Sequence, residues 1–478
     1  MKKVMLRPGM FLFWGLLVCT AAFLASLGGC GGGGTASSTP PPPPPPPPPA
    51  KIQHVVVIFQ ENRSPDNLFQ DPNLISSGAD IQNYGINSHG DKIPLAPQSL
   101  ANDYDPSHTH GAFLAMCDMG SAGCAMDGAD KISVLCDTNA PPSCPPPNPT
   151  FQYVNQSDVA PYFQLAETYT FGDRMFQTNQ GPSFPAHQFL ISGTSAPSVG
   201  SNLFVAENPI NGPAPFYNTG CISPPEERVK LVDPTGAENQ EIYPCFDHPT
   251  LTDLLNTANI SWRYYAPSAG IIWNAPNAIQ HMCVPNAPPP NGTACTGSDW
   301  TNNVVLQYTQ VLTDIQAGNL ATVSWVIPNG ESSDHAAGEH GAGPSWVASV
   351  VNAIGNSQYW SNTAIFIAWD DWGGWYDHVA PTIKNSYEYG FRVPLIVVSP
   401  YAKAAYISHV PHHFGSILKY IEENFNLSSL GYADVDADDL SDCFDYNQTP
   451  LKFQTIAAPL DAQHFLEDKN PHSDPDDD

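Results

Sequence analysis

The chain is poor in basic residues. Seventeen lysines and arginines stand against 46 acidic side chains in 478 residues, a formal net charge of -29. That scarcity argues against nucleic acid as a partner, because binding it needs many cationic contacts to phosphate. It makes adhesion to an anionic lipid surface unfavourable for the same reason. Charge of either sign is scarce: 13% of the residues, about half the usual share. From residue 51 onward there is no GxSxG, HExxH, P-loop or GxGxxG, and no CxxC occurs anywhere. Nucleophile-elbow esterases, zincins, nucleotide-binding classes and thiolate zinc pairs therefore have no support. No repeat of fixed period is present either.

What is present begins with a basic start, Lys2, Lys3 and Arg7, followed by an apolar run over 10–27 and then "LGGC" at 27–30. A leucine three residues before a cysteine resembles a bacterial lipobox. Residues 1–30 are therefore expected to be a lipoprotein signal with Cys30 as the lipidated anchor. A plain signal peptide or an anchor helix is the alternative, but the run is short for a span of about 20 residues. Glycines, serines and an unbroken proline run at 40–49 make residues 31–50 a tether. These features together predict an exported, membrane-anchored lipoprotein, periplasmic or on the cell surface.

Cysteine usage agrees with export. Eight of the nine remaining cysteines fall in short spacings: Cys117 and Cys124, Cys136 and Cys144, Cys221 and Cys245, Cys283 and Cys295. Local disulfides are expected, with Cys443 left unpaired. The catalytic region is read as 51–466, with Cys/Pro-rich insertions at about 105–150 and 207–247 that could form a cap. The acidic end, 467–478, carries almost no apolar residues and is expected to be disordered.

Four continuous apolar runs, 55–59, 322–327, 364–368 and 393–398, read as buried parallel strands. Amphipathic helical patterns lie between them at 251–257, 304–316, 345–354 and 415–424. The alternation predicts an α/β fold, a largely parallel sheet covered by helices on both faces. Each run ends in polar residues: Glu61 and Asn62, Asp334 and His335, Asp370 and Asp371, Ser399 and Pro400. In a parallel sheet these ends share one edge, where ligands bind.

Glu61, Asn62, Asp370 and Asp371 are hard oxygen donors. Three carboxylates brought together repel one another unless a divalent cation joins them. Such ligands suit magnesium, calcium or manganese, and zinc and iron also accept carboxylates. Trp369, Trp372 and Trp375 around the Asp pair argue against a solvated loop. Ser183, in "GPSFPAHQFLISG" at 181–193, sits at a position like an N-cap, where free N–H groups and the helix dipole would stabilise an alkoxide. An ordinary capping serine would look the same. Fifteen histidines offer acid/base groups, among them His108, His110, His335, His340 and His378, with His281, His412 and His413 expected in loops.

"VVVIFQENRSPDNLF", "GPSFPAHQFLISG", "IAWDDWGGWYDHVAP" and "GFRVPLIVVSPYAK", in that order, resemble the bacterial phosphoesterase family of phosphatidylcholine-type phospholipases C and periplasmic acid phosphatases. "DHPTLTDLLNTANISWRYY" at 247–265 and "HHFGSILKYIEENFNL" at 412–427 also fit. The resemblance implies an alkaline-phosphatase-like α/β/α core. It implies one metal on Glu61, Asn62, Ser183, Asp370 and Asp371, with the Ser183 hydroxyl as nucleophile and a phospho-enzyme intermediate. It places His108 and His335 at the phosphate, and His281 by spacing. Two departures stand out: Ala186-His187 replaces the family's Asn-Arg, and "DHAAGEHGAG" replaces its "HP". The chain ends soon after the core, without the extra domains of the larger phospholipases, which leans toward a phosphatase-like enzyme. The competing reading is an inactive surface binding module that keeps a metal only for stability.

Overall fold

The four apolar runs become the four central, adjacent strands of an eight-stranded sheet. A computed structural model of the chain describes residues 51–468 apart from 122, 210–218 and 338–340. The signal, Cys30, the tether, His340 and the end of the acidic tail lie outside the described residues. The sheet consists of β1 (His54–Gln60), β2 (Thr170–Gly172), β3 (Trp262–Tyr265), β4 (Val304–Val305), β5 (Val323–Val326), β6 (Thr363–Trp369), β7 (Leu395–Val398) and β8 (Tyr406–Ser408). Its order is β4-β3-β5-β1-β6-β7-β2-β8. The outer strands escape pattern reading because they are two to four residues long, and three of the four mix polar with apolar side chains.

The helices that matter here are α1 (Pro65–Leu68), α2 (His110–Cys117), α3 (Ala160–Thr168), α4 (Ser183–Ser192), α5 (Leu251–Thr257), α6 (Gln310–Ala317), α7 (Gly343–Gly355), α8 (Phe414–Asn424) and α9 (Ala462–Glu467). α7 packs on α3, α6 and α9, whereas α4 packs on α5 and α8. The two groups cover opposite faces, giving the expected three layers. Strand alternation sorts the core between them. Phe59 and Phe366 meet the α8 side chains Phe414 and Tyr420, while Trp369, three residues after Phe366, turns to Phe69 and Tyr162 on the α3 side.

β1 runs parallel to both β5 and β6. β7, in contrast, is antiparallel to β6 and to β2. The expectation of four parallel strands is therefore corrected for the 393–398 run. Ser399 ends at the far edge, where its hydroxyl donates to the carbonyl of Thr363, the first residue of β6, at 3.0 Å. A strand buried on both faces reads as a continuous apolar run in either direction. The helix predicted over 304–316 is also shorter. Its first residues form β4, and α6 begins only at Gln310.

Because β7 runs backwards, its N-terminal end brings Arg392 toward the functional edge. Arg392 is fully buried and binds both oxygens of Asp377, at 2.8 and 2.9 Å, and Asp66 at 3.3 Å. His378 completes this network, with Nδ1 2.7 Å from Asp66 and Nε2 3.0 Å from Asp80. Burial opposes charge on its ring, but the hydrogen bond and charge of Asp66, aided by Asp377, prevail and raise its pKa to about 9. A folded-state pKa above the unfolded value near 6.5 gives stability that is fully present below that value and lost as pH rises through 9. Discounted for partial solvent access, the contribution is on the order of 2–3 kcal/mol. Urea unfolding at pH 7 and pH 10 is expected to show that loss in the wild type and little of it in His378→Gln; equal pH slopes in the two proteins would refute the assignment.

All four cysteine pairings occur as expected: Cys117–Cys124, Cys136–Cys144, Cys221–Cys245 and Cys283–Cys295. Cys443 is free and buried.

Candidate active site

The polar residues that end β1 and β6 meet at the parallel edge. Glu61, Asn62, Asp370 and Asp371 are all fully buried. Asn62 adopts φ +60°, a left-handed conformation that asparagine tolerates, and this turns its backbone N–H onto Asp370 Oδ1 at 3.1 Å. Asp370 Oδ1 also accepts the Asp371 N–H, and Asp371 Oδ1 accepts the Gly373 N–H, each at 2.7 Å. The two loops nearly touch. A Cβ on Gly373, at φ +63°, would stand 2.3 Å from the Asn62 carbonyl oxygen, so only glycine fits there.

Ser183 arrives from the next layer. Pro182 is the N-cap residue of α4 and Ser183 its first helical residue, so the hydroxyl makes no capping bond, contrary to the capping position expected. Asn208 Oδ1 instead accepts the Phe184 N–H at 2.9 Å. The Ser183 Oγ is thus available to the cluster, 3.1 Å from Asp371 Oδ2 and 3.3 Å from Asn62 Oδ1.

The histidines divide into three cases. His108 Nδ1 faces the carbonyl of Pro106 at 3.1 Å, which assigns the proton to Nδ1 and leaves Nε2 to accept from the Asn62 amide at 2.8 Å. That bond fixes the amide: its NH2 points to His108 and its oxygen to Ser183. His335 lies beside it, with ring centroids 5.9 Å apart, and donates through Nδ1 to the Ala336 carbonyl at 2.6 Å. His281 is not brought in. It sits on a short helix, Gln280–Cys283, between Asp247 at 2.7 Å and Asp253 at 3.3 Å. The Asp253 hydrogen bond, followed by that of Asp247, outweighs burial and lifts its pKa to about 9. His412 and His413 form a short strand rather than a loop.

Asp334, adjacent to His335, belongs to the support and not to the cluster. Its carboxylate accepts from Tyr162 at 2.7 Å and Trp369 at 2.9 Å. Burial raises its pKa to about 6 despite those bonds and Arg63. Arg63 binds the Asp334 carbonyl at 2.7 Å and thereby pins the loop that presents His335.

One residue was missed by sequence reasoning. His187 is fully buried, with Nε2 3.3 Å from Glu61 Oε1 and 3.8 Å from Asp370 Oδ2. Glu61, His187 and Asp370 offer ligand atoms within 4.8 Å of one another. The signal was in the spacing: residues i and i+4 share a helix face, so whatever Ser183 faces, His187 faces one turn on. Two carboxylates and an imidazole at this spacing, with Asp371, the Asn62 amide oxygen and the Ser183 hydroxyl beside them, form a donor set that fits a divalent cation.

The sequence profile of the Phosphoesterase family matches residues 52–428. The chain belongs to that family. Hemolytic phospholipase C of Pseudomonas aeruginosa is 22% identical over 434 residues, covering 79% of this chain and 53% of that protein. Phospholipase C A of Mycobacterium tuberculosis is 24% identical over 451 residues, covering 84% and 78%. Non-hemolytic phospholipase C of Burkholderia pseudomallei is 23% identical over 441 residues, covering 78% and 55%. The chain thus spans about half the length of the Pseudomonas and Burkholderia relatives it matches. Among solved structures, a protein in the alkaline phosphatase superfamily from Vibrio parahaemolyticus is 9% identical with a TM-score of 0.36, over 84% of this chain and 75% of that one. That superposition is too loose to compare sites.

Proposed function

We propose that this family member is an exported phosphoester hydrolase in which Ser183 is the nucleophile and Glu61, Asn62, Asp370 and Asp371, with the Ser183 hydroxyl, hold one divalent metal ion. The observation that carries the reading is the Ser183 Oγ, buried within 3.1 Å of Asp371 and 3.3 Å of Asn62. A divalent ion bound there would neutralise the carboxylates and withdraw charge from the phosphoryl oxygens.

The protein's own groups account for the remaining steps. Asn62, oriented by His108, and Asp371 hold the Ser183 hydroxyl, with Asp371 Oδ2 as the acceptor nearest its proton. Ser183 Oγ passes its proton to Asp371 Oδ2 and bonds to phosphorus as the bond from phosphorus to the alcohol oxygen breaks, the departing oxygen taking a proton from His335. Water then attacks phosphorus, giving a proton to His335, as the bond from phosphorus to Oγ breaks; Asp371 returns its proton to Ser183 and the phosphate product leaves. We assign His335, protonated at Nε2 as well as at the Nδ1 that holds Ala336, to the charge that develops on the phosphoryl and leaving oxygens, and His108 to holding the Asn62 amide in place. Four disulfides favour an oxidising compartment and so support export, and Cys30 would supply the lipid anchor.

The substrate is a phospholipid or a small phosphomonoester. Purified protein, with its metal quantified, is to be assayed on phosphatidylcholine vesicles and on a soluble chromogenic monoester. Hydrolysis of at least one, abolished by a chelator and restored by metal, is expected. Metal-loaded protein that hydrolyses neither would favour the binding-module reading.

A further inference from the structure

A second group of ligand-type side chains meets on the other side of β7, where β8, the entry to α8 and the loop after α8 converge. Cys443, the one cysteine outside a disulfide among the described residues, lies there fully buried. Its Sγ is 3.5 Å from Asp442 Oδ1 and 4.0 Å from His412 Nε2, and that Nε2 is 3.6 Å from the same carboxylate oxygen. Around a tetrahedral zinc with sulfur at about 2.3 Å and nitrogen or oxygen at about 2.0–2.1 Å, neighbouring ligand atoms stand roughly 3.3–3.6 Å apart. The three side chains therefore trace one face of such a tetrahedron to within a few tenths of an ångström.

The histidine is set up in the same sense. His412 Nδ1 lies 2.7 Å from Asp438 Oδ1, which is itself held by the Leu440 N–H at 2.7 Å. A carboxylate on one ring nitrogen keeps the proton there and turns the lone pair of the other toward the triangle, the arrangement metal-bound histidines use. Ser408 Oγ lies beside the group, 3.0 Å from Nε2 and hydrogen-bonded to Asp442. The backbone is held independently of these side chains. The Cys443 carbonyl accepts from the Lys403 N–H at 2.9 Å and the Thr170 hydroxyl at 3.1 Å, and the His412 N–H donates to Arg174 at 2.9 Å. Asp442 is 21% exposed at its side chain, which leaves a polar way in for an ion.

We propose that His412 Nε2, Asp442 Oδ1 and Cys443 Sγ form a second metal site, structural in role and suited to zinc or another thiophilic first-row ion. Thiolate and imidazole select such ions over magnesium or calcium, unlike the oxygen-rich cluster around Ser183. Binding forms a metal–sulfur bond and releases the thiol proton to solvent. It ties the entry to α8 to the loop after α8. The donors at 412, 442 and 443 share no metal-binding sequence motif.

The test uses full-length protein stripped by chelation and titrated with Co2+. A thiolate-to-metal charge-transfer band should appear, reach its limit once two equivalents have filled both sites, and be bleached by Zn2+. It should be absent in Cys443→Ser and retained in Glu61→Gln, which alters only the other cluster. A wild type without the band, or a folded Cys443→Ser that keeps it, overturns the proposal. A second measurement needs no variant. Zn2+ should slow alkylation of the Cys443 peptide, followed by mass spectrometry, at least tenfold; equal rates with zinc and with chelator would equally refute the site.

Discussion

Replacing Ser183 by alanine is expected to lower kcat on a chromogenic phosphoester by on the order of 10⁴-fold or more while the fold persists. The size follows from loss of the attacking atom: enzymes stripped of their nucleophile retain only what binding and charge stabilisation supply. The fold should survive because Ser183 makes no capping bond, because Asn208 satisfies the following N–H, and because alanine suits the first turn of a helix. What alanine removes is the hydroxyl's contact with Asn62 and Asp371, worth roughly 1 kcal/mol. Circular dichroism and thermal melting should therefore match the wild type. Turnover near the wild-type rate would eliminate Ser183 as nucleophile. A Ser183→Thr variant, which keeps a hydroxyl, should recover part of the activity.

Arg392→Met should give the largest loss of stability, about 3–5 kcal/mol, the range found when one partner of a buried ion pair is removed. Five hydrogen bonds disappear together: two to Asp377, one to Asp66 and one each to the carbonyls of Asp80 and Asp173. Asp66 and Asp377 are then left buried with like charge. Burial and Asp377 already raise the pKa of Asp66, and His378 and Arg392 oppose that rise only in part. For a folded region of this size the deficit corresponds to an apparent Tm lower by about 3–6 °C. Arg392→Lys should lose less, because an ammonium restores the charge without the planar fork. A Tm within 1 °C of the wild type for Arg392→Met would show that the network contributes little.

Both expectations rest on features of unequal visibility in the sequence. The ends of β1 and β6 were legible because a buried strand running straight into Glu61-Asn62 or Asp370-Asp371 leaves those side chains no solvent to face, and parallel strands put such ends on one edge. Their join was legible only as chemistry: nothing in the spacing of residues 62 and 370 says that the backbone N–H of one meets the carboxylate of the other. His187 was visible as a departure from the family motif and, through its i+4 spacing, as a neighbour of Ser183. Its contact with Glu61 required the packing of α4 over β1. His281 marks the opposite case, where spacing suggested the site and two nearby carboxylates hold the ring elsewhere.

The direction of β7 shows where the boundary lies. Its composition specified a strand buried on both faces and nothing more, since burial depends on side chains and not on chain direction. One signal was there to be read: the 25 residues between β6 and β7 are rich in glycine and turn-forming residues and contain no helical pattern, whereas a parallel return needs a crossover that is usually a helix. Local chemistry, written in consecutive residues, determined the four central strands, three of the four expected helices, the disulfide spacings and the donors that end β1 and β6. Pairing direction, the placement of Arg392 and the convergence of His412, Asp442 and Cys443 were decided only in three dimensions, because each depends on which distant segments pack together.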